Sequence, residues 1–352
     1  MQQILAIQRA LFPLLYLPSR LYAALMRLRR RSFETGAIRP YRPPCLTVSV
    51  GNICWGGSGK TPLVDWIMGW TLDNGMNTAV LTRGYKALPP QLPYRVHEQS
   101  TPQESGDEPL LLARTHPSAN VVVDPDRARA AEFIIGYDTP DIIILDDGFQ
   151  HVGVARDLDL VLLKPSDLMV DWNRVIPAGP WREDQSALRR ADAFLIKCPP
   201  DEFQALESLI NEFLKPYRKP VFNFSIALKG LVRLDQGGTQ RNLDGEPYLL
   251  VSGVGEPGQV ASTAEALMGN APVKHLRYDD HYAYTQTDWD FIQNEAQRKN
   301  AEHVVCTSKD AVKLAGLITN NLWTFDTTVS FGSSHLTKLT FPDWWRETME
   351  HV

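Results

Sequence analysis

The sequence predicts an α/β fold, and three observations carry that prediction. A short apolar run, CLTVSV (45–50), leads into the glycine-rich stretch GNICWGGSGKT (51–61), and PLVDWIMGWTL (62–72) then reads as a helix with Pro62 near its first turn. Apolar runs of strand length go on alternating with helical stretches along most of the 352 residues. One of those runs, DIIILDD (141–147), ends in two adjacent acids after four apolar residues. Alternation of this kind makes a largely parallel sheet, with ligands expected at the carboxyl ends of its strands.

The elements follow in chain order. Residues 1–42 carry eight arginines against Glu34, a net +7, which leaves −12 for the rest of a chain whose formal charge is −5. Their apolar runs are broken by Arg9, Pro13, Pro18 and Arg20, so no uninterrupted span of ~20 residues exists. Apolar residues punctuated by arginines and followed by the cluster Arg27 to Arg31 suit a helical segment lying in the interface of an anionic bilayer. No cleavage site of signal-peptide type is evident, so the segment is expected in the mature protein. With 43% hydrophobic and 22% charged residues the 352-residue chain is ordinary globular protein, not a disordered chain. Four scattered cysteines, Cys45, Cys54, Cys198 and Cys306, form no CxxC pair and no zinc spacing, which points to a reducing compartment and no structural metal.

The loop at 51–61 is chemically a phosphate-binding loop in an altered register. The pattern G-x-x-x-x-G-K-[ST] asks for a glycine five residues before Gly59, and the sequence has Cys54 there. Gly51, Gly56, Gly57 and Gly59 still allow the backbone to wrap an anion. Cys54, Trp55, Gly56, Gly57, Ser58, Gly59, Lys60 and Thr61 are therefore expected to hold the phosphates, with Thr61 also on Mg2+. Cys54 is expected to be a tolerated small residue and not a redox group.

Beyond the loop, strands are expected at 78–84, 119–124, 141–150, 158–164 and 193–197, with a helix over DRARAAEFIIG. A second cycle follows past Lys219: an extended stretch at 220–234, a turn-rich segment at 235–247, strands at 248–255, 275–284, 302–310 and 322–331, and helices near 258–268 and 288–298. This divides the chain into an N-terminal membrane-associated helical segment (1–42), a P-loop NTPase-like α/β/α domain (43–218), and a second, smaller α/β domain (219–352) joined by a hairpin and closing over the nucleotide.

Several groups in this layout carry chemistry. Asp146 and Asp147 end a buried strand where a Walker B carboxylate sits and would share Mg2+ with Thr61. Gln150 and His151 follow in GFQH, able to orient water or substrate or simply to pack. Asp107 and Glu108 in SGDEPLLLART read, by themselves, as acids in the first turn of a helix. Asp279, Asp280 and His281 follow a strand, where Asp beside His offers an acid/base pair. Arg83 in LTRGYK, and Arg182 and Glu183 in IPAGPWRED, sit on loops after strands as candidate substrate contacts.

Taken together and in this order, SVGNICWGGSGKTP, LTRGYK, GDEPLLLA, DRARAAE, IILDDGFQH, VIPAGPWRED, RRADAFLIK, VSGVGEPGQV, DDHYAY and TSKDAVKL resemble the tetraacyldisaccharide 4'-kinase family, the lipid A 4'-kinases, from the amino-terminal helix to about residue 315. The resemblance implies an ATP- and Mg2+-dependent lipid kinase that phosphorylates the 4'-hydroxyl of a tetraacylated glucosamine disaccharide 1-phosphate. It also implies a place on the cytoplasmic face of the bacterial inner membrane and no nucleic-acid partner. By the same resemblance Lys60 and Thr61 bind phosphates and Mg2+, Asp146 and Asp147 complete the metal site, Asp107 paired with His281 activates the hydroxyl, and Arg182 and Glu183 line the site. Two positions depart from the family pattern, Ser308 in place of glutamate and Glu256 in place of asparagine.

Two other readings share the loop. A GTPase would read guanine with N/T-K-x-D, but in TSKD the intervening Ser308 displaces the lysine. A membrane-recruited P-loop ATPase acting on a protein partner gives no reason for an aspartate and a histidine beside the nucleotide; requirement for a lipid acceptor separates it from a kinase.

Overall fold

The computed structural model describes residues 2–234, 237–317 and 321–351, so positions 235 and 236 of the expected turn-rich segment lie outside the described residues. The chain opens with helices α1 (Gln2–Ala10) and α2 (Phe12–Glu34). The first half then runs β1 (Leu46–Asn52), α3 (Lys60–Asp73), β2 (Thr78–Thr82), β3 (Tyr94–Arg95), α4 (Pro102–Ser105), α5 (Asp107–Thr115), β4 (Asn120–Val123), α6 (Arg127–Tyr137), β5 (Ile142–Asp146), β6 (Leu158–Leu163), α7 (Pro165–Met169), β7 (Ala193–Lys197), α8 (Pro200–Ala205) and α9 (Glu207–Phe213). The second half runs β8 (Val221–Arg233), β9 (Thr239–Gln240), β10 (Tyr248–Ser252), α10 (Pro257–Met268), β11 (Lys274–Arg277), α11 (Gln286–Arg298), β12 (His303–Cys306), α12 (Ser308–Leu314), β13 (Leu322–His335) and α13 (Phe341–His351).

The strands form one sheet in the order β11-β10-β12-β13-β8-β7-β6-β1-β5-β2-β4-β3, with β9 paired to β8. Neighbours are parallel except β3/β4, β8/β9 and β8/β13. The central strands are buried on both faces, which is why they read as unbroken β-branched and leucine runs such as Ile142 to Leu145. Some of the crossover helices have a side-chain cap at their start. Asp126 caps α6 by accepting from the Ala128 and Arg129 N–H groups, and Thr285 caps α11 in a capping box with Asp288.

The join between the halves differs from the expected hairpin. β8 and β13 pair as a long antiparallel ribbon, from Val221 against His335 to Arg233 against Trp323, and the other described elements of the second half except α13 lie between them in sequence. The chain then returns: Phe341 and Trp345 of α13 are buried in the core that holds Val48, Leu63, Ile67 and Ile144. The Trp345 ring meets Trp70 edge to face, with centroids 5.9 Å apart. The stretch expected as a separate closing domain, 219–352, thus gives its last helix to the first half.

At the amino terminus, α2 is seated by one face. Ala23 packs in the core beside Phe149 and Trp181, the Ser19 hydroxyl donates to the Val175 carbonyl at 2.7 Å, and Arg30 is buried. The opposite face leaves Leu14, Leu17, Leu21, Leu25 and Leu28 exposed at helical spacing. None of the described helices is long and apolar enough to cross a membrane.

Candidate active site

The loop and the paired acids are hung from the carboxyl ends of β1 and β5. The register pairs Val50 of β1 with Asp146 of β5, so the loop that leaves β1 starts beside the paired acids. Gly51 has a packing reason for its position: a Cβ there would lie 2.6 Å from the Phe149 backbone nitrogen, so only glycine lets the turn after β5 close against β1. The positive-φ work falls to Gly56 (φ +97°) and Gly59 (φ +85°), the latter turning the chain into α3 at Lys60. The register shift seen in the sequence thus separates two jobs, close packing at Gly51 and positive-φ turns at Gly56 and Gly59.

The front of the loop departs from expectation. The Trp55 N–H donates to the Pro180 carbonyl at 3.0 Å, and the Arg182 N–H donates to Ile53. The Cys54 thiol is buried against Asp167, 3.5 Å from Oδ2. Burial first and then Asp167 push that thiol up to about 12, so it is inert. The Trp55 N–H, expected to face the phosphates, is thus engaged by the 175–182 loop.

Lys60 Nζ lies 3.4 Å from Asp147 Oδ1 and 3.3 Å from Asn52 Oδ1. Asp147 holds a left-handed backbone (φ +52°) and its other oxygen accepts from Arg182 at 2.8 Å. Burial pulls the Asp147 carboxyl upward, but Lys60 and Arg182 outweigh it and bring it down to about 2. Asp146 behaves in the opposite way. Its Oδ2 accepts from the Thr82 hydroxyl at 3.0 Å, its Oδ1 is buried without a partner, and burial followed by Glu108 pushes the carboxyl up to about 6. An orphaned, fully buried carboxylate oxygen next to a second carboxylate and a P-loop threonine is a donor set suited to Mg2+, so Thr61, Asp146 and Asp147 fit the ion that the sequence calls for.

Asp107 and His281 meet. Asp107 opens α5 directly after Gly106 (φ +86°), and its Oδ2 lies 3.0 Å from His281 Nδ1. His281 itself adopts φ +62°, and its ring packs on Tyr85 with centroids 5.4 Å apart. Behind the pair, Lys313 Nζ lies 3.6 Å from Asp107 and 3.0 Å from Asp310, so a buried ammonium backs the aspartate. Glu108, expected only as a helix-start acid, accepts the Thr61 hydroxyl at 2.5 Å and pairs with Lys309.

Of the candidate substrate contacts, Arg182 is in the site through Asp147 and through Gln150, whose Oε1 is 3.1 Å away. Arg83 is exposed just past β2. Glu183 is buried, with Arg190 at 2.8 Å and Arg30 of α2 at 3.3 Å, and so fastens the amino-terminal helix. The sequence reading missed Arg127, which is buried and donates to the Asp124 and Asp146 carbonyls. With Arg29 and His151 it lines a cavity of about 380 Å³. Burial first, then Arg127, push His151 down to about 3, so that imidazole is neutral beside the arginines. The signals for these residues were present in DRARAAE and TSKDAVKL, but their partners lie far away in sequence.

Comparison with known proteins agrees with this geometry. The model of the family described as tetraacyldisaccharide-1-P 4'-kinase matches residues 11–340. The tetraacyldisaccharide 4'-kinase of Nitratidesulfovibrio vulgaris is 48% identical over 344 residues, 98% of this chain and 96% of that protein. That of Oleidesulfovibrio alaskensis is 48% identical over 330 residues, 94% and 91% of the two chains. Among solved structures, LpxK from Aquifex aeolicus in complex with ATP superposes with a TM-score of 0.77 at 28% identity, covering 97% of this chain and 99% of that one. The chain belongs to the tetraacyldisaccharide-1-P 4'-kinase family.

Proposed function

We propose that this chain transfers the γ-phosphoryl group of ATP to the 4'-hydroxyl of a tetraacylated disaccharide 1-phosphate, using the cradle 56–61 for the triphosphate and the Asp107–His281 pair for the hydroxyl. The observation that carries the reading is that pair: an aspartate of the first half and a histidine of the second share a 3.0 Å hydrogen bond beside a P-loop whose threonine is tied to the next residue, Glu108. A base at that place can serve a lipid hydroxyl or water, and whether ATP use requires the lipid acceptor separates the two. The family and the ATP complex of the Aquifex aeolicus relative support the same conclusion.

Each residue has a part that its surroundings support. Lys60 brings a positive charge to the phosphates, and Asp147 and Asn52 hold its ammonium in place. Thr61, Asp146 and Asp147 would hold Mg2+, which supplies charge neutralisation at the phosphates when bound. Asp107 accepts the hydroxyl proton as the oxygen attacks, while His281 orients the carboxylate and Lys313 keeps negative charge on it favourable. Phosphoryl transfer asks for little more than positioning and charge, and this set provides both. Because the pair spans the two halves, the base is assembled only when they are correctly apposed, which is the physical content of closure over the nucleotide. The arginine-lined cavity formed by Arg29, Arg127 and His151 suits an anionic group of the acceptor lipid.

The amino-terminal helices would lie on the membrane surface, at the cytoplasmic face of the inner membrane. Their exposed leucines face outward, and Arg20, Arg29 and Arg31 are also exposed for anionic headgroups. ATP consumption measured in detergent micelles with and without the tetraacyldisaccharide 1-phosphate tests the reading. Consumption that requires the lipid supports a kinase, and an equal rate without lipid favours an ATPase.

A further inference from the structure

Glu108 does more than start a helix. One carboxylate oxygen accepts from the Thr61 hydroxyl at 2.5 Å, and the other is paired with the ammonium of Lys309. Thr61 belongs to the phosphate cradle of the first half, and Lys309 sits in the first turn of α12 in the second half. A single carboxylate is all that separates loop from lysine. Two oxygens on one centre, one taking a P-loop hydroxyl and the other a half-buried ammonium, present the donors and spacing that an edge of a phosphate group would use.

The surroundings are cationic in the same place. Thr61 and Lys309 line a cavity of about 1140 Å³ together with Lys164, just past β6, and Lys197, at the end of β7. Burial pushes Lys197 downward, and Lys309 and Lys164 add to the push against the opposing field of Glu256. Lysines from three strand and helix ends converge on the mouth of the loop, an arrangement that a polyphosphate relieves. The helices α5 and α12 meet through two neighbouring contacts, Glu108 with Lys309 and Asp107 with Lys313. Whatever engages Lys309 is thereby felt by the helix that backs the proposed base.

We propose that Lys309 is a phosphate ligand of the nucleotide supplied by the second half of the chain: its ammonium donates to the terminal phosphate, and the Glu108 carboxylate competes with that phosphate for the same donors. Lys309 stays protonated throughout, and no bond is made or broken at it. The inference rests on the kinase reading above and adds to it a residue that makes the second half sense whether the nucleotide carries a third phosphate.

The test is equilibrium binding of MgATP and of MgADP by calorimetry, without lipid acceptor, in wild type, Lys309→Met and Lys309→Arg. Wild type is expected to prefer ATP, Lys309→Met to lose about tenfold or more of that preference at near-normal ADP affinity, and Lys309→Arg to keep most of it. Retained ADP binding shows that the variant is folded. An unchanged ATP-to-ADP ratio in Lys309→Met would overturn the inference and reduce Lys309 to a tie between the halves. Loss of both nucleotides in both variants would overturn it as well. Wild type that binds no ATP would remove the kinase reading and this inference with it.

Discussion

The leucine face of α2 gives a prediction whose size follows from the structure. Leu14, Leu17, Leu21 and Leu25 are 75%, 75%, 64% and 57% exposed, so together they offer roughly three fully exposed leucines to any apolar phase, at about 2 kcal/mol each for complete burial. A helix lying at an interface buries about half of that surface, which leaves on the order of 2–3 kcal/mol, or about a hundredfold in partitioning. Replacing all four by serine removes little of the contact with the protein, because α2 is seated through Ser19, Ala23 and Arg30 on its other face. Vesicle co-sedimentation should show binding reduced by about that factor, equally at low and high salt. Arg20→Gln and Arg31→Gln, by contrast, should each weaken binding by about fivefold, only with anionic lipid and only at low salt. Unchanged sedimentation of the four-leucine variant would refute the reasoning, since these four are most of the exposed leucine face of α2.

Further outcomes test the site. Asp107→Asn and His281→Ala should each lower kcat by about 10² to 10⁴, and the double variant should be no worse than the weaker single one, because the two act as a unit; multiplicative losses would contradict that. Asp146, pushed up to about 6 by burial and Glu108 from an ordinary 3.8, keeps in the folded protein a proton that the unfolded chain has released. Its contribution to stability therefore falls as pH rises from about 4 to about 6 and is most unfavourable above that. In EDTA, Asp146→Asn should then raise stability at pH 8 by up to about 3 kcal/mol with little gain at pH 4, while abolishing activity; an equal gain at both pH values in urea unfolding would sink the argument. Arg30→Met leaves Glu183 with Arg190 alone, and should cost about 1–3 kcal/mol and expose α2 to limited proteolysis.

What could be read from the sequence was what is local. Lys60, Thr61, Asp146 and Asp147 were legible because a strand, a loop and a helix follow one another within a few residues, and the buried strands announced themselves as unbroken apolar runs. The Asp107–His281 pair was visible only through family resemblance, since its members are 174 positions apart and each alone looks structural. The tie of Glu183 to the amino-terminal helix was not legible because its partner Arg30 lies 153 positions earlier. The β8/β13 ribbon looked like a hairpin because a pairing between strands so far apart leaves no turn signal next to either. The role of Glu108 stayed hidden because an acid in the first turn of a helix is already explained, and its partner Lys309 comes from the other half.

The central claim is that the P-loop passes its phosphate to a lipid and not to water or a protein. Its most direct test follows labelled γ-phosphate from ATP to a tetraacyldisaccharide 1-phosphate in detergent micelles, with wild type beside Lys60→Ala and Asp107→Ala. The account predicts label on the lipid's 4'-position with wild type and near-complete loss with both variants. Label released as inorganic phosphate with none on the lipid would contradict it.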